Sequence, residues 1–374
     1  MTQIDLMKIG GAGFGSSLSH HLRIMYPKSN VTNIVVVSAF PGMTRILDHV
    51  HTALMRNLLK ENEHSSFEDI AQKFWINGIT ADTFKLLNTI SPGDLNRESQ
   101  IEFLDACYDH ISTVWDVIHN RYEELGNNMP NDREKKSACL EHHRQETLAQ
   151  GELLTCLIIR EFLTLKGIDF YYVPAISFMH AKPRIINISN GVKYFNCDVA
   201  QSVKYFSDVV TGWSVSRQMP CLILTEGYIA STVFKMEKDT KIVNLEDVAE
   251  RKAVQQKRQV VTMGFDASDL TVAVVATCLK FHALIDLRNV CFYKTHVVDF
   301  LSGQPADNQK YSFYLFEAQV KTASRRKSSG QPPESHKVGR YLVQPKALGL
   351  LYEHKIAFDI KEIEMTSMVR TCYT

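Results

Sequence analysis

The sequence predicts an α/β fold built on a largely parallel central sheet. Two observations carry this. Short β-branched apolar runs recur along the chain, each bounded by Gly, Pro or Asn, as strands buried on both faces are. Between them lie segments with helical spacing of apolar residues, and strands alternating with helices favour parallel pairing.

The elements follow in order. "IDLMKI" (4–9) is the first strand and runs into the glycine-rich stretch "GGAGFGSS". "TNIVVVSAF" (32–40) is the second. Residues 50–150 are rich in charge, His and Asn and lack strand runs, so they read as a helical insertion. "GELLTCLIIREFLTLKG" (151–167) places Leu153, Leu154, Leu157, Ile158 and Phe162 on one face and stops at Gly167, a helix-ending glycine. In this reading Glu152 opens that helix. "DFYYVPA" (169–175), "PCLILTEGY" (220–228) and "HKIAFDI" (354–360) are further strands. "DASDLTVAVVATCLKFHA" (266–283) is an apolar helix with Asp266 and Ser268 as cap candidates. "TASRRKSSGQPPESHK" (322–337) reads as a mobile surface loop, with a basic patch for a partner as the alternative.

The 374 residues are 45% hydrophobic and 22% charged, enough for one large or two medium domains around an ample core. A formal net charge of +1 gives no electrostatic case for nucleic acid or an anionic membrane. No run approaches the ~18 apolar residues of a membrane-spanning helix, and the N-terminus lacks a signal-peptide pattern, so a cytoplasmic protein is expected. The eight cysteines are scattered without metal-ligand spacing. Most sit in apolar runs such as "LLTCLII" and "PCLIL" and read as buried thiols in a reducing compartment. His142 and His143 read as solvated.

The first loop fails two familiar patterns. A dinucleotide fingerprint from Gly11 and Gly13 needs glycine at 16, where Ser16 stands, which speaks against a nicotinamide oxidoreductase. No Walker lysine follows the glycines; Lys8 precedes them. A lysine ending the first strand stands at the mouth of the sheet, where open α/β folds bind ligands. Glycines after it let backbone N–H groups approach an anion. A tight strand-to-helix turn without a ligand is the alternative.

Several segments, in order, resemble the aspartokinase branch of the amino acid kinase family. "KIGGAGFGS" is similar to the opening K-[FI]-G-G-T-S segment, and "VVVSAFPGMTRIL" to V-V-S-A-x-x-G-x-T-x-x-L. "GELLTCLII" resembles G-E-x-x-(S/T)-x-x-L, and "VTMGFDASDLTVAVVA" resembles T-x-G-R-G-G-S-D-x-(S/T)-A. "VGRYLVQPKALGLLYEHKIAFDIK" echoes the G-A-K-V-L-H-P stretch, and "YKTHVVDFLSGQP" the segment of the short, ectoine-type members that lack ACT domains. The resemblance spans nearly the whole chain.

It implies a three-layer α/β/α sandwich of the amino acid kinase (carbamate kinase-like) type. An amino-acid-substrate lobe would cover 1–220, with the helical insertion at about 50–150. A nucleotide-binding lobe would cover 221–374, without ACT regulatory domains and without lysine or threonine feedback of the kind they mediate. It implies transfer of the ATP γ-phosphoryl, with Mg2+, to the side-chain carboxylate of an amino acid such as aspartate, giving an acyl phosphate. A kinase for another amino acid, or a catalytically weak member that binds nucleotide or amino acid as a regulatory or interaction protein, is the alternative. The same resemblance implies a homodimer.

Residue by residue, Lys8 would neutralise the migrating phosphoryl, aided by backbone donors at Gly10, Gly11 and Gly13, and Asp269 would orient Lys8 or the magnesium waters. Glu152 would pair with the acceptor's α-ammonium. Ser38, Ala39, Thr44 and Ser268 match acceptor-site positions. Thr225, Gly227, Lys294 and Arg340 fall in the nucleotide segments. The chain departs from the pattern in three places. Phe265 replaces the arginine that clamps the acceptor's α-carboxylate, and an aromatic ring cannot make a bidentate contact. Ala12 and Gly13 replace two loop hydroxyls. Tyr341 replaces a lysine, with Arg340 beside it. Arg45, following Thr44, is the expected substitute cation for the acceptor carboxylate.

Overall fold

The computed structural model of the chain describes residues 1–9, 23–26, 30–40, 42–59, 95–130, 133–189, 192–216, 220–233, 258–264, 267–294 and 343–362. Its centre is a six-stranded sheet of β1 (Thr2–Ile9), β2 (Val31–Val37), β3 (Tyr171–Tyr172), β6 (Leu222–Glu226), β9 (Ile285–Lys294) and β10 (Asp359–Glu362). The spatial order is β10-β9-β1-β2-β6-β3, and every pairing is parallel. Every residue of β2 and β6 is buried, as a sheet covered on both faces requires. The α/β architecture expected from the alternating runs is therefore the one observed. Strands from both sides of residue 220 share this sheet.

Helices cover the two faces. On α1 (Met43–Leu58), Met43, Leu47, Val50, His51, Leu54 and Met55 form one buried stripe. The long α2 (Arg97–Asn127) starts at Asn96, whose side chain accepts from the Ser99 N–H at 2.8 Å. It packs on α3 (Arg133–Leu165), which lies against α1, β2 and β6. Gly167 ends α3 at φ 65°. Its N–H and that of Ile168 return to the carbonyls of Thr164 and Leu163, so the last carbonyls are satisfied by a glycine turn. After the short α4 (Ala175–Phe178) and a hairpin of β4 (Ala181–Ser189) and β5 (Val192–Cys197) comes α5 (Val199–Ser216). A second hairpin, β7 (Ile229–Val233) with β8 (Arg258–Thr262), leads into α6 (Ala267–Phe281). Helix α6 is buried on all sides from Ala267 to Leu279 and packs on β1, β2 and β9. The last helix, α7 (Pro345–Glu353), rests on α6.

The structure corrects the sequence reading at several points. α3 starts at Arg133, not at Gly151, because polar residues through 133–150 hid a continuous helix whose partner is another helix. Ser268 lies inside α6 rather than capping it. Cys221 is exposed, while Cys107, Cys156, Cys278 and Cys291 are buried; all seven described cysteines are free thiols. His143 is buried at 4% exposure, its Nδ1 3.2 Å from that of buried His51 on α1. Burial lowers the pKa of both imidazoles, and the neighbouring His143 lowers that of His51 further. His142 pairs at 3.3 Å with Glu146. Neither hairpin nor β9 was expected from the apolar runs, and the strand in "HKIAFDI" begins only at Asp359. Among the described residues no helix is long and apolar enough to cross a membrane.

Candidate active site

The carboxyl ends of β1, β2 and β6 open on one side of the sheet. Lys8 is level with Val36 on β2 and Phe292 on β9, and Val36 is level with Thr225 on β6. β1 is also where the strand order reverses: β2 lies on one side of it and β9, much later in sequence, on the other. Parallel α/β sheets bind ligands at such switch points.

Lys8 is 4% exposed, and its Nζ stands 3.3 Å from Oδ1 of Asp269, which is fully buried in the first turn of α6. The other Asp269 oxygen accepts from the Gln344 N–H at 3.0 Å, at the start of α7. One carboxylate thus ties β1, α6 and α7 together. The approach of α6 depends on Gly227, just after β6. A Cβ there would lie 2.7 Å from the Ser268 Cα, so a side chain would push the first turn of α6 away. The Gly227 N–H donates to the Val37 carbonyl at 2.7 Å, which fixes the turn after β6 against β2.

Glu152 sits mid-way along α3 and is 3% exposed. Its Oε1 accepts from the Ala39 N–H at 3.4 Å; its Oε2 is buried and has no hydrogen-bond donor among the described residues. Burial pushes the carboxyl up to about 8, opposed by the Ala39 N–H, with Glu226 raising it further and Lys8 lowering it. A buried mid-helix carboxyl with an open oxygen is not serving the helix dipole, which acts in the first turn. Its contact with the Ala39 N–H places it beside the loop that follows the carboxyl end of β2. One turn on, Thr155 Oγ1 accepts from the Phe40 N–H at 3.1 Å, so α3 clasps the loop after β2 at two adjacent amides.

Among the other expected residues, the Ser38 N–H bonds the Ile9 carbonyl at 3.2 Å and Ala39 is buried beside Glu152. Thr44 is half-buried in the first turn of α1; the cap is Gly42 at φ 79°. Thr225 is buried at the end of β6, and Lys294 ends β9 level with Glu362. Arg45 is exposed on α1, away from the buried stripe, so the structure does not bring it to the cluster. Gly10, Gly11, Gly13, Phe265, Arg340 and Tyr341, with the 322–337 loop, lie outside the described residues.

Three residues went unassigned by the sequence. Thr155 occupies the Ser/Thr place of the G-E-x-x-(S/T) pattern, so its signal was present. Glu226 closes the apolar run "CLILTE" as a buried acid. It accepts from the Tyr172 hydroxyl and, at 2.7 Å, from the Ala175 N–H, and burial raises its pKa. Gln344 contributes only its backbone N–H to Asp269, which a sequence does not reveal.

No family model and no curated protein matches the sequence. Solved structures do match. E. coli aspartokinase III in complex with aspartate and ADP (R-state) is similar with a TM-score of 0.58 and 15% identity, over 96% of this chain and 65% of that one. The same enzyme in complex with lysine and aspartate (T-state) gives a TM-score of 0.54 and 16% identity, over 96% and 62%. The chain spans less than two thirds of the length of these aspartokinase III chains. At this identity the likeness establishes the fold alone: the parallel central sheet with helices on both sides is shared with these aspartokinase III structures.

Proposed function

We propose that the chain is an ATP-dependent amino acid kinase that phosphorylates a side-chain carboxylate, of aspartate or an analogue, to an acyl phosphate. The observation that carries this is the buried Lys8–Asp269 pair at the carboxyl end of β1. A lysine held there by one carboxylate is preset to face a phosphoryl group, and its cost of ordering is met before substrate arrives. The neighbouring fold relative crystallised with aspartate and ADP supports the same substrate pair.

In this reading a carboxylate acceptor is already anionic, so no general base is needed. The site must bring two negative groups together and offset the charge that spreads over the transferring phosphoryl. Lys8 supplies that charge, with backbone donors from Gly10, Gly11 and Gly13. Asp269 holds Lys8 in place, anchored in turn by the Gln344 N–H. Glu152 receives the acceptor's α-ammonium on its open oxygen, and Thr44, Ser38 and Ser268 line the acceptor side. Thr225, Gly227, Lys294 and Arg340 belong to the nucleotide side. Among the described residues no three His, Cys, Asp or Glu side chains stand together to cage a metal. In this scheme magnesium would be carried by the ATP phosphates, where it would neutralise charge.

Binding without turnover is the second reading; Phe265 in place of the carboxylate-clamping arginine favours it. A hydroxylamine trap run with Mg-ATP over acidic and non-acidic amino acids decides between them. A hydroxamate from an acidic amino acid supports the kinase. ADP binding with no acyl phosphate from any acceptor supports the second reading. Division into an acceptor lobe (1–220) and a nucleotide lobe (221–374), homodimer formation and a cytoplasmic setting complete the proposal; sedimentation tests the dimer.

A further inference from the structure

Glu152 and the turn that delivers Asp269 come from distant parts of the chain, yet the proposed transfer needs them in one frame. One side chain spans the gap. Gln145 lies seven residues before Glu152 on α3, about 10 Å along the axis and within about 20° of the same face. It is fully buried. Its Oε1 accepts from the Thr262 N–H at 2.9 Å and also from the Thr262 hydroxyl. Its Nε2 donates to Glu141 Oε1 at 2.7 Å, which fixes the amide's orientation.

Thr262 is the last residue of β8 and is itself fully buried. Beyond it, Met263 N–H bonds the Tyr228 carbonyl at 3.0 Å, Gly264 turns the chain at φ 92°, and Ala267 N–H returns to Gly264 O at 3.2 Å. Asp269 follows two residues into α6. Thr262 therefore anchors the base of the connection to Asp269, and Gln145 anchors Thr262 to the helix that carries Glu152.

We infer that Gln145 is a positioning residue, setting the register between Glu152 and the Lys8–Asp269 pair. This rests on the kinase reading above. It acts through Thr262. Losing Gln145 removes the acceptor of both the Thr262 N–H and its hydroxyl, and the strand end then shifts, displacing the Asp269 turn relative to α3. A displacement near 1 Å at a phosphoryl-transfer site costs on the order of 10²-fold in rate.

The test compares wild type, Gln145→Leu, and the double exchange Glu141→Gln with Gln145→Glu. The exchange rebuilds both bonds: the new carboxylate accepts from Thr262, and the new amide at 141 donates to it. The expected result is a kcat for Gln145→Leu lower on the order of 10²-fold with acceptor KM little changed, and faster hydrogen exchange at the Thr262 amide. Both readouts return toward wild type in the double exchange. Wild-type kcat in correctly folded Gln145→Leu overturns the inference, as does a folded double exchange that restores neither readout. Should wild type phosphorylate no acceptor, the kinase reading fails on its own. The inference is then judged by ADP affinity: weakened in Gln145→Leu and restored in the exchange supports it, and equal affinity in all three overturns it.

Discussion

Glu152→Gln isolates the effect of one buried carboxyl on stability. In the native state this group titrates at about 8, mainly through burial, against an ordinary value of 4.5. Between those values the folded chain keeps a proton that the unfolded chain has released. Native protein then binds more protons than unfolded, so stability falls as pH rises. The contribution is fully present below pH ~4.5 and lost by pH ~8, at a slope of about 1.4 kcal/mol per unit. From pH 5 to pH 7 that amounts to about 3 kcal/mol, a large share of the usual 5–15 kcal/mol. Glutamine keeps the shape and the acceptor for the Ala39 N–H but cannot titrate. Urea unfolding of both proteins at pH 5, 6, 7 and 8 gives the difference. Other titrating groups, the His51–His143 pair and Glu226 included, cancel to first order in this subtraction. The variant should gain about 3 kcal/mol relative to wild type between pH 5 and 7. Parallel stability curves would show that Glu152 is ionised in the native protein and refute the burial argument. The same protonation predicts that an acceptor's ammonium displaces a proton, so calorimetry in buffers of different ionisation enthalpy should show proton release on binding.

Lys8→Met leaves Asp269 as a buried charge without its cation. It should destabilise by about 3–5 kcal/mol in urea unfolding and abolish acyl-phosphate formation, whereas Lys8→Met with Asp269→Asn should recover much of the stability but none of the turnover. Gly227→Ala should cost about 1–3 kcal/mol and lower the thermal midpoint, because its Cβ meets Ser268. His51→Phe should flatten the acid limb of the stability curve. The native imidazole is held neutral while the unfolded one charges below pH ~6.5, so the wild type loses stability as pH falls through that value. Acid titration followed by circular dichroism checks it, and an unchanged midpoint would count against it.

Local pattern and chemistry were enough for β1, β2, β3 and β6 of the central sheet, though not for β9, and for Lys8 as a charge at a strand end. A β-branched run reads as a strand because its side chains suit a pleat covered on both faces, and Gly167 marks a helix end through its backbone freedom. The sheet hairpins were not legible in that way. β7 and β8 are joined by a long connection, and their pairing is a distant contact rather than a local preference. The polar first half of α3 hid its true start, since its partners are other helices and its buried histidine and glutamine bond across to α1 and β8. Only the folded chain could place Glu152 in mid-helix with an open oxygen, put Asp269 between Lys8 and the Gln344 N–H, and leave Arg45 on the surface. Sequence shows which groups a chain carries. Burial and the meeting of remote segments decide their charge state and partners, because desolvation and hydrogen bonding depend on distances that no local pattern encodes.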